Sequence, residues 1–264
     1  MSAVIARAAV VPLQKEPSLR VEQVSQLVLG ETALVLAESD SWLRVRSDDD
    51  RYEGWIHRGY VVECDASAAA RWRADADGWS EGAVLETPAG RRRLPLRARA
   101  ALEHGRVRLP DGVIGALADG HISPLAEVTR AARQVPAERW AARAFAGVRY
   151  EWGGVSDLGV DCSGLVQTTF AARGVPLPRD SAAQAEAGSP VPLEEVRPGD
   201  LLFFSDNGTR VTHVAFSAAG GALVHSTVAM GGVVEEPWTP GHRAALLRAQ
   251  FVVARRVPGA AGAP

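Results

Sequence analysis

The feature that most limits what this chain can fold into is a rhythm of short apolar runs cut by turn residues, which leaves its first quarter no room for long helices. Between about residues 19 and 63 the runs VSQLVLGETALVLAE, WLRVRS and YEGWIHRGYVVE are separated by Ser39-Asp40-Ser41 and Asp48-Asp49-Asp50. Short strands at that spacing close into a small barrel. A weaker version recurs from about 68 to 130, where Pro-Ala-Gly, His-Gly and Pro-Asp-Gly turns break VLETPAGRRRLPLRARAALEHGRVRLPDGVIGALADGHISP. After Pro124 the pattern changes. AERWAARAFA at 137–146 reads as a helix with Trp140, Ala141 and Ala144 on one face, ended by Gly147. Further helices start near Cys162 and Ser181, and RPGDLLFF, VTHVAFS and ALVHSTV then read as strands. Helices followed by an antiparallel sheet make this part an α+β domain.

A chain of 264 residues exceeds one ordinary core. The rhythm divides it into domains at 1–66, 67–130 and 131–264. With 47% hydrophobic residues and no apolar run near the roughly 18 residues of a membrane span, it reads as soluble and globular, without membrane insertion. Twenty-nine basic against thirty-one acidic residues argue against a broad attraction to nucleic acid or anionic lipid. The basic run Arg91-Arg92-Arg93 reads as a solvated turn. At the amino terminus, Arg7 and Pro12 interrupt any apolar core of a secretory signal. The expected location is therefore cytoplasmic, with Cys64 and Cys162 free rather than paired.

Cys162 lies in GVDCSGLV. Asp161 is a plausible N-cap, which puts Cys162 in a first helical turn, where N–H groups and the helix dipole favour a thiolate and can hold an oxyanion. Gly164 leaves room for close backbone approach. Taken alone, the same cysteine is equally a small core residue. A base is offered by His213 and His225 on two adjacent strands. If their connection is a three-residue loop, Ala218-Ala219-Gly220, then Ser217 pairs with Gly221 and Ala215 with Leu223, and His213 stands directly opposite His225. A two-residue Gly-Gly turn would break that pairing. These two histidines and one local cysteine lack the open three-ligand arrangement of a catalytic zinc, so neither metal nor cofactor is expected. Ser181-Ala182-Ala183-Gln184 reads as a capping box, while Trp42 and Trp55 read as barrel core.

Two resemblances follow from these motifs. GE, W-x-x-V and GWI-x-x-x-Y in the first segment are similar to a bacterial SH3-like domain, and the second segment reads as a divergent copy. YEWGG, DCSGL, RDS, RPGDLLFF and two histidines twelve positions apart, over roughly 133–256, resemble the NlpC-type papain-like cysteine peptidases of cell-wall turnover. The resemblance implies a papain-like domain, helices packed on an antiparallel sheet, behind two small SH3-like barrels. It implies Cys162 as nucleophile, His213 as base and His225 as the residue that orients His213. Tyr150 matches the family's active-site tyrosine, and Asp180 and Ser181 of the RDS stretch line its substrate cleft, alongside Ser163. The layout is similar to γ-D-glutamyl-L-diamino-acid endopeptidases, which implies a murein-derived peptide substrate with a free N-terminal L-alanine. Glu31 and Tyr60 are placed on the substrate side by that resemblance alone. A noncatalytic wall-binding protein and a thioester-forming acyltransferase are the alternatives; the complete Cys, His, His and Tyr set speaks against the first and the motif order against the second.

Overall fold

The computed structural model describes residues 1–262 and divides into two units, Met1–Val128 and a second that begins at Thr129. The first unit contains two seven-stranded antiparallel sheets. Strands begin earlier than the turn rhythm suggests. Ser2–Ala6 and Val10–Gln14 precede residue 19, and Ser2–Ala6 lies between Thr32–Ser39 and Val61–Asp65, with antiparallel partners on both sides. Four of its five residues are buried, so it lacks the in-out alternation that marks a half-exposed strand in sequence.

Val4, Ala6, Val11, Leu13, Leu27, Ala33, Leu43, Val45, Ile56 and Val61 fill this first core. Trp42 and Trp55 are not part of it, contrary to expectation. Leu43, Val45 and Ile56 point inward, so alternation turns Trp42 and Trp55 to the half-exposed face, where the Trp42 ring meets His57 edge-on at 5.4 Å. A helix not read from the sequence, Ala66–Asp75, joins the two sheets in the chain. The Asp65 carboxylate accepts the Ala68 N–H at 2.7 Å and caps it, and the Trp72 indole N–H reaches the Gly30 carbonyl at 2.7 Å. Cys64 packs against Ile5, Trp72 and Ala76, and both cysteines are free thiols.

In the second unit the strands lie in the order Ser189–Val191, Phe251–Arg256, Leu201–Phe204, His213–Ala218, Ala222–Thr227 and Gly232–Pro237, all antiparallel. The Cys162–Ala172 helix packs on this sheet and buries ten of its eleven residues, so it shows no amphipathic stripe, and its buried Gln167, Thr168 and Thr169 side chains each donate to a carbonyl. Phe170 stacks on Phe216 at 6.0 Å. The helix therefore has no freedom to slide, and its first residue is fixed against the sheet.

Directly after the helix, Arg173 is completely buried. Its guanidinium donates to the carbonyls of Ala132 at 2.5 Å, Val135 at 2.6 Å, Gly259 at 2.6 Å, Ala260 at 3.2 Å and Ala261 at 2.9 Å. One planar cation thus fastens residues 259–261 to the helical side of the unit. Arg173→Leu strands several buried carbonyls at about 1–3 kcal/mol each. We expect a thermal transition lowered by more than about 5 °C and faster proteolysis near 259. An unchanged transition would show that water replaces the guanidinium without cost.

Candidate active site

Cys162 is the first residue of its helix, and Asp161 is the N-cap, accepting the Gly164 N–H at 2.7 Å. The carboxylate does more than cap. Its second oxygen accepts the Gly153 N–H at 2.8 Å, the Ser163 hydroxyl lies 3.2 Å from the first, and Arg179 donates to both oxygens at 2.6 and 3.1 Å. Arg179 also donates to the Ser163 hydroxyl at 2.8 Å. Asp161 and Arg179 form a buried, doubly bonded ion pair under the start of the helix. In the sequence Asp161 shows only its capping role, and Arg179 shows none. A charged residue in RDS gives no sign of its burial until the chain is folded.

The backbone N–H groups of Ser163 and Val214 donate to the Cys162 sulfur. The thiol therefore sits against the residue that follows His213. On the neighbouring strand, His225 is buried, and its Nδ1 lies 2.7 Å from His213 Nε2. The two rings are 5.0 Å apart. The expected register is corrected here. Ser217 pairs with Leu223 and Ala218 with Ala222, so the turn is Ala219-Gly220-Gly221, with both glycines at positive φ of 69° and 70°. Relative to the expected pairing, the strands are displaced by two residues. A displacement of two keeps every side chain on its face, so His213 and His225 still meet, diagonally rather than directly opposite.

Glu236 extends the row. Leu223 pairs with Glu236 and His225 with Val234, so Glu236 is the diagonal neighbour of His225 on the same face. Its Oε1 lies 2.7 Å from His225 Nε2, and Arg243 binds the same carboxylate with both Nε and Nη2. Burial alone would raise the Glu236 carboxyl, but the hydrogen bonds from Arg243 and His225 hold it below the ordinary value. Neither residue was singled out from the sequence, although applying diagonal pairing across the next strand would have reached Glu236.

The other candidates are distributed as follows. Tyr150 is half-buried, and its hydroxyl is raised by burial first and then by Cys162 and Asp161, which places it in the same electrostatic environment as the thiol. Asp180, not Ser181, is the N-cap of the short Ser181–Gln184 helix. The expected capping box is absent because the Gln184 amide turns inward, donating to the carbonyls of Ser163 at 3.0 Å and Pro178 at 2.8 Å. Glu31 and Tyr60 belong to the first unit. Glu31 is buried, paired with Arg97 at 2.5 Å and accepting the Val28 N–H at 2.9 Å. Burial pushes its carboxyl upward, against the pull of Arg97. Tyr60 is exposed, with its ring edge-on to His57 at 6.0 Å.

Burial decides the proton inventory. It pushes the Cys162 thiol up to about 12, with Asp161 adding to the rise, and the N–H groups of Val214 and Ser163 and the Arg179 cation offset only part of it. It pushes His213 down to about 3, with His225 and Arg243 acting in the same direction. Burial thus favours the neutral form of both the Cys162 thiol and the His213 imidazole. Desolvation thus opposes the thiolate that the helix N-terminus favours.

Comparisons with known proteins bear on this geometry. Residues 147–249 match the NlpC/P60 family and residues 13–59 match the bacterial dipeptidyl-peptidase SH3 domain. A gamma-D-glutamyl-L-lysine dipeptidyl-peptidase of Bacillus subtilis is 31% identical over 224 residues, covering 76% of this chain and 71% of that protein. One of the same name from Bacillus cereus is 41% identical over 101 residues, covering 37% of this chain and 30% of its relative. The crystal structure of an NlpC/P60 family protein from Bacillus cereus superposes with a TM-score of 0.77, at 22% identity, over 96% of this chain and 99% of that one.

The depressed imidazoles carry a stability cost in acid. His213 and His225 both titrate below their ordinary value of 6.5 in the folded chain. The unfolded chain therefore binds more protons between about pH 6.5 and 3, and this contribution to stability, complete above 6.5, is lost as the pH falls. The thermal transition should drop steeply from pH 6.5 to 4, and His213→Gln/His225→Gln should flatten part of that drop. An equal drop in the double variant would assign acid sensitivity to other groups.

Proposed function

We propose that this chain, which belongs to the NlpC/P60 family and is a cysteine peptidase of cell-wall peptides, cleaves the amide between γ-D-glutamate and a diamino acid in murein-derived peptides that carry a free N-terminal L-alanine. The observation that carries the mechanism is the His213–His225 hydrogen bond beside a thiol that accepts the Val214 N–H. Cys162 Sγ attacks the γ-carbonyl carbon while its proton passes to His213. The carbon–nitrogen bond then breaks, and His213 gives that proton to the departing amine. Water attacks the thioester, loses a proton to His213, and releases the carboxylic acid as sulfur recovers its proton. Burial disfavours both charged forms, so in this reading proton transfer accompanies attack. Among the N–H groups at the start of the Cys162–Ala172 helix, those of Gly164 and Leu165 are held by Asp161, so the Cys162 N–H is our candidate donor for the oxyanion.

Selection for a free amine requires a carboxylate at the far end of the substrate, and Asp180 is our candidate within the second unit. A half-buried carboxylate pairs with an ammonium and is left unpaired by an amide. Tyr150, Ser163 and Ser181 complete the proposed substrate side. We also assign the second seven-stranded sheet to a divergent SH3-like barrel, on its strand number and antiparallel order. The place of action we propose is the cytoplasm, where wall fragments with free alanine amines are taken apart.

Incubation with L-Ala-γ-D-Glu-meso-diaminopimelate, followed by mass spectrometry, should release the dipeptide L-Ala-D-Glu. Cys162→Ala should abolish release without unfolding the protein, and His213→Ala should cost more turnover than His225→Ala. Acetylating the alanine amine should lower kcat/KM by at least about a hundredfold, and Asp180→Asn should narrow that difference. An intact tripeptide after prolonged incubation would sink the substrate assignment.

A further inference from the structure

The row His213, His225, Glu236 crosses three adjacent strands by two diagonal steps, with 2.7 Å at each junction. Direction matters in such a row, because a neutral imidazole carries one proton on two nitrogens. We infer that Glu236 is a positioning residue that, acting through His225, fixes His213 in the tautomer with a bare Nδ1. This rests on the reading of His213 as the base.

The Glu236 carboxylate can only accept, so His225 Nε2 must carry the proton between them. His225 Nδ1 then has only a lone pair, so the proton at the next junction belongs to His213 Nε2. His213 Nδ1 is left bare and able to take a proton from sulfur. If the end group could donate instead, each proton would shift along the row and His213 Nδ1 would carry a hydrogen, useless as a base. Arg243 makes the end group's state firm. Its fork binds both carboxylate oxygens and keeps Glu236 from rotating away or protonating. The adjacent Glu235 provides the contrast. Alternation along Gly232–Pro237 turns it to the other face, where it pairs with Arg139 at 2.7 Å.

Glu236→Gln keeps the shape and adds a donor, so it permits both directions. Two substrate-free measurements on the full chain read the result. In histidine-selective 15N NMR, the native protein should show His213 protonated at Nε2 alone, and Glu236→Gln should show a mixture with Nδ1. Alkylation of Cys162 by iodoacetamide should slow at least about tenfold in Glu236→Gln, recover in part in Glu236→Asp, and stay native in Glu235→Gln. If Glu236→Gln does not fold, Glu236→Asp still decides through its NMR signature, which should remain Nε2-protonated. A native His213 protonated at Nδ1, or either signal unchanged in a folded Glu236→Gln, overturns the inference. Since neither measurement uses the peptide, an enzyme that passes both yet leaves the tripeptide intact would refute the substrate and keep the positioning role.

Discussion

The carboxylate of Asp161 is the fixed point of the second unit. It holds the Gly164 and Gly153 N–H groups, the Ser163 hydroxyl and both ends of the Arg179 fork, so that loop, helix start and Arg179 converge on two oxygen atoms. Cys162 is covalently next to this knot and cannot drift unless it is undone. A buried ion pair of this kind adds little net stability, because desolvation offsets most of its attraction, yet removing one partner costs about 3–5 kcal/mol. Its value is positional. It locks the backbone of Cys162, our proposed nucleophile, where the helix begins.

The same pair sets a limit on the thiol. A carboxylate one residue from the sulfur disfavours a second negative charge, and Arg179 compensates only in part, as the raised Cys162 thiol shows. Rigidity here thus comes with surroundings that oppose a thiolate. On the mechanism proposed above, the proton leaves sulfur during attack, and the imidazole row carries the burden of receiving it. That couples two networks on different elements: the Asp161–Arg179 knot under the helix and the His213–His225–Glu236 row across the sheet.

Much of this was legible in the sequence, for identifiable reasons. The N-cap, the helix at Cys162 and the Leu201–Phe204 and His213–Ala218 strands follow from local spacing, which is what propensity and periodicity report. The same spacing failed where burial removed periodicity, as in Ser2–Ala6 with four buried residues, and where a glycine pair allowed two turns, as between Ala218 and Ala222. Arg179, Glu236 and Arg243 escaped because their roles come from partners 18, 11 and 7 residues away. Ser181-Ala182-Ala183-Gln184 misled for the opposite reason. A sound local motif lost to a tertiary demand, the two carbonyls that Gln184 serves.

The glycines around Cys162 complete the account of why the motif has its form. A Cβ on Gly164 would lie 2.1 Å from the Gly154 carbonyl oxygen, and one on Gly154 would lie 2.4 Å from the Gly159 oxygen. These are backbone contacts with no flexible side chain to yield. The loop from Gly153 to Val160 is layered directly on the start of the helix, at distances only glycine permits, and that layering is what brings the Gly153 N–H to Asp161. Moving any one layer outward by the width of a methyl group would take Gly153 out of hydrogen-bond reach and open the knot to water. The glycine spacing, the carboxylate and the cysteine are therefore one constraint, read three times along the chain.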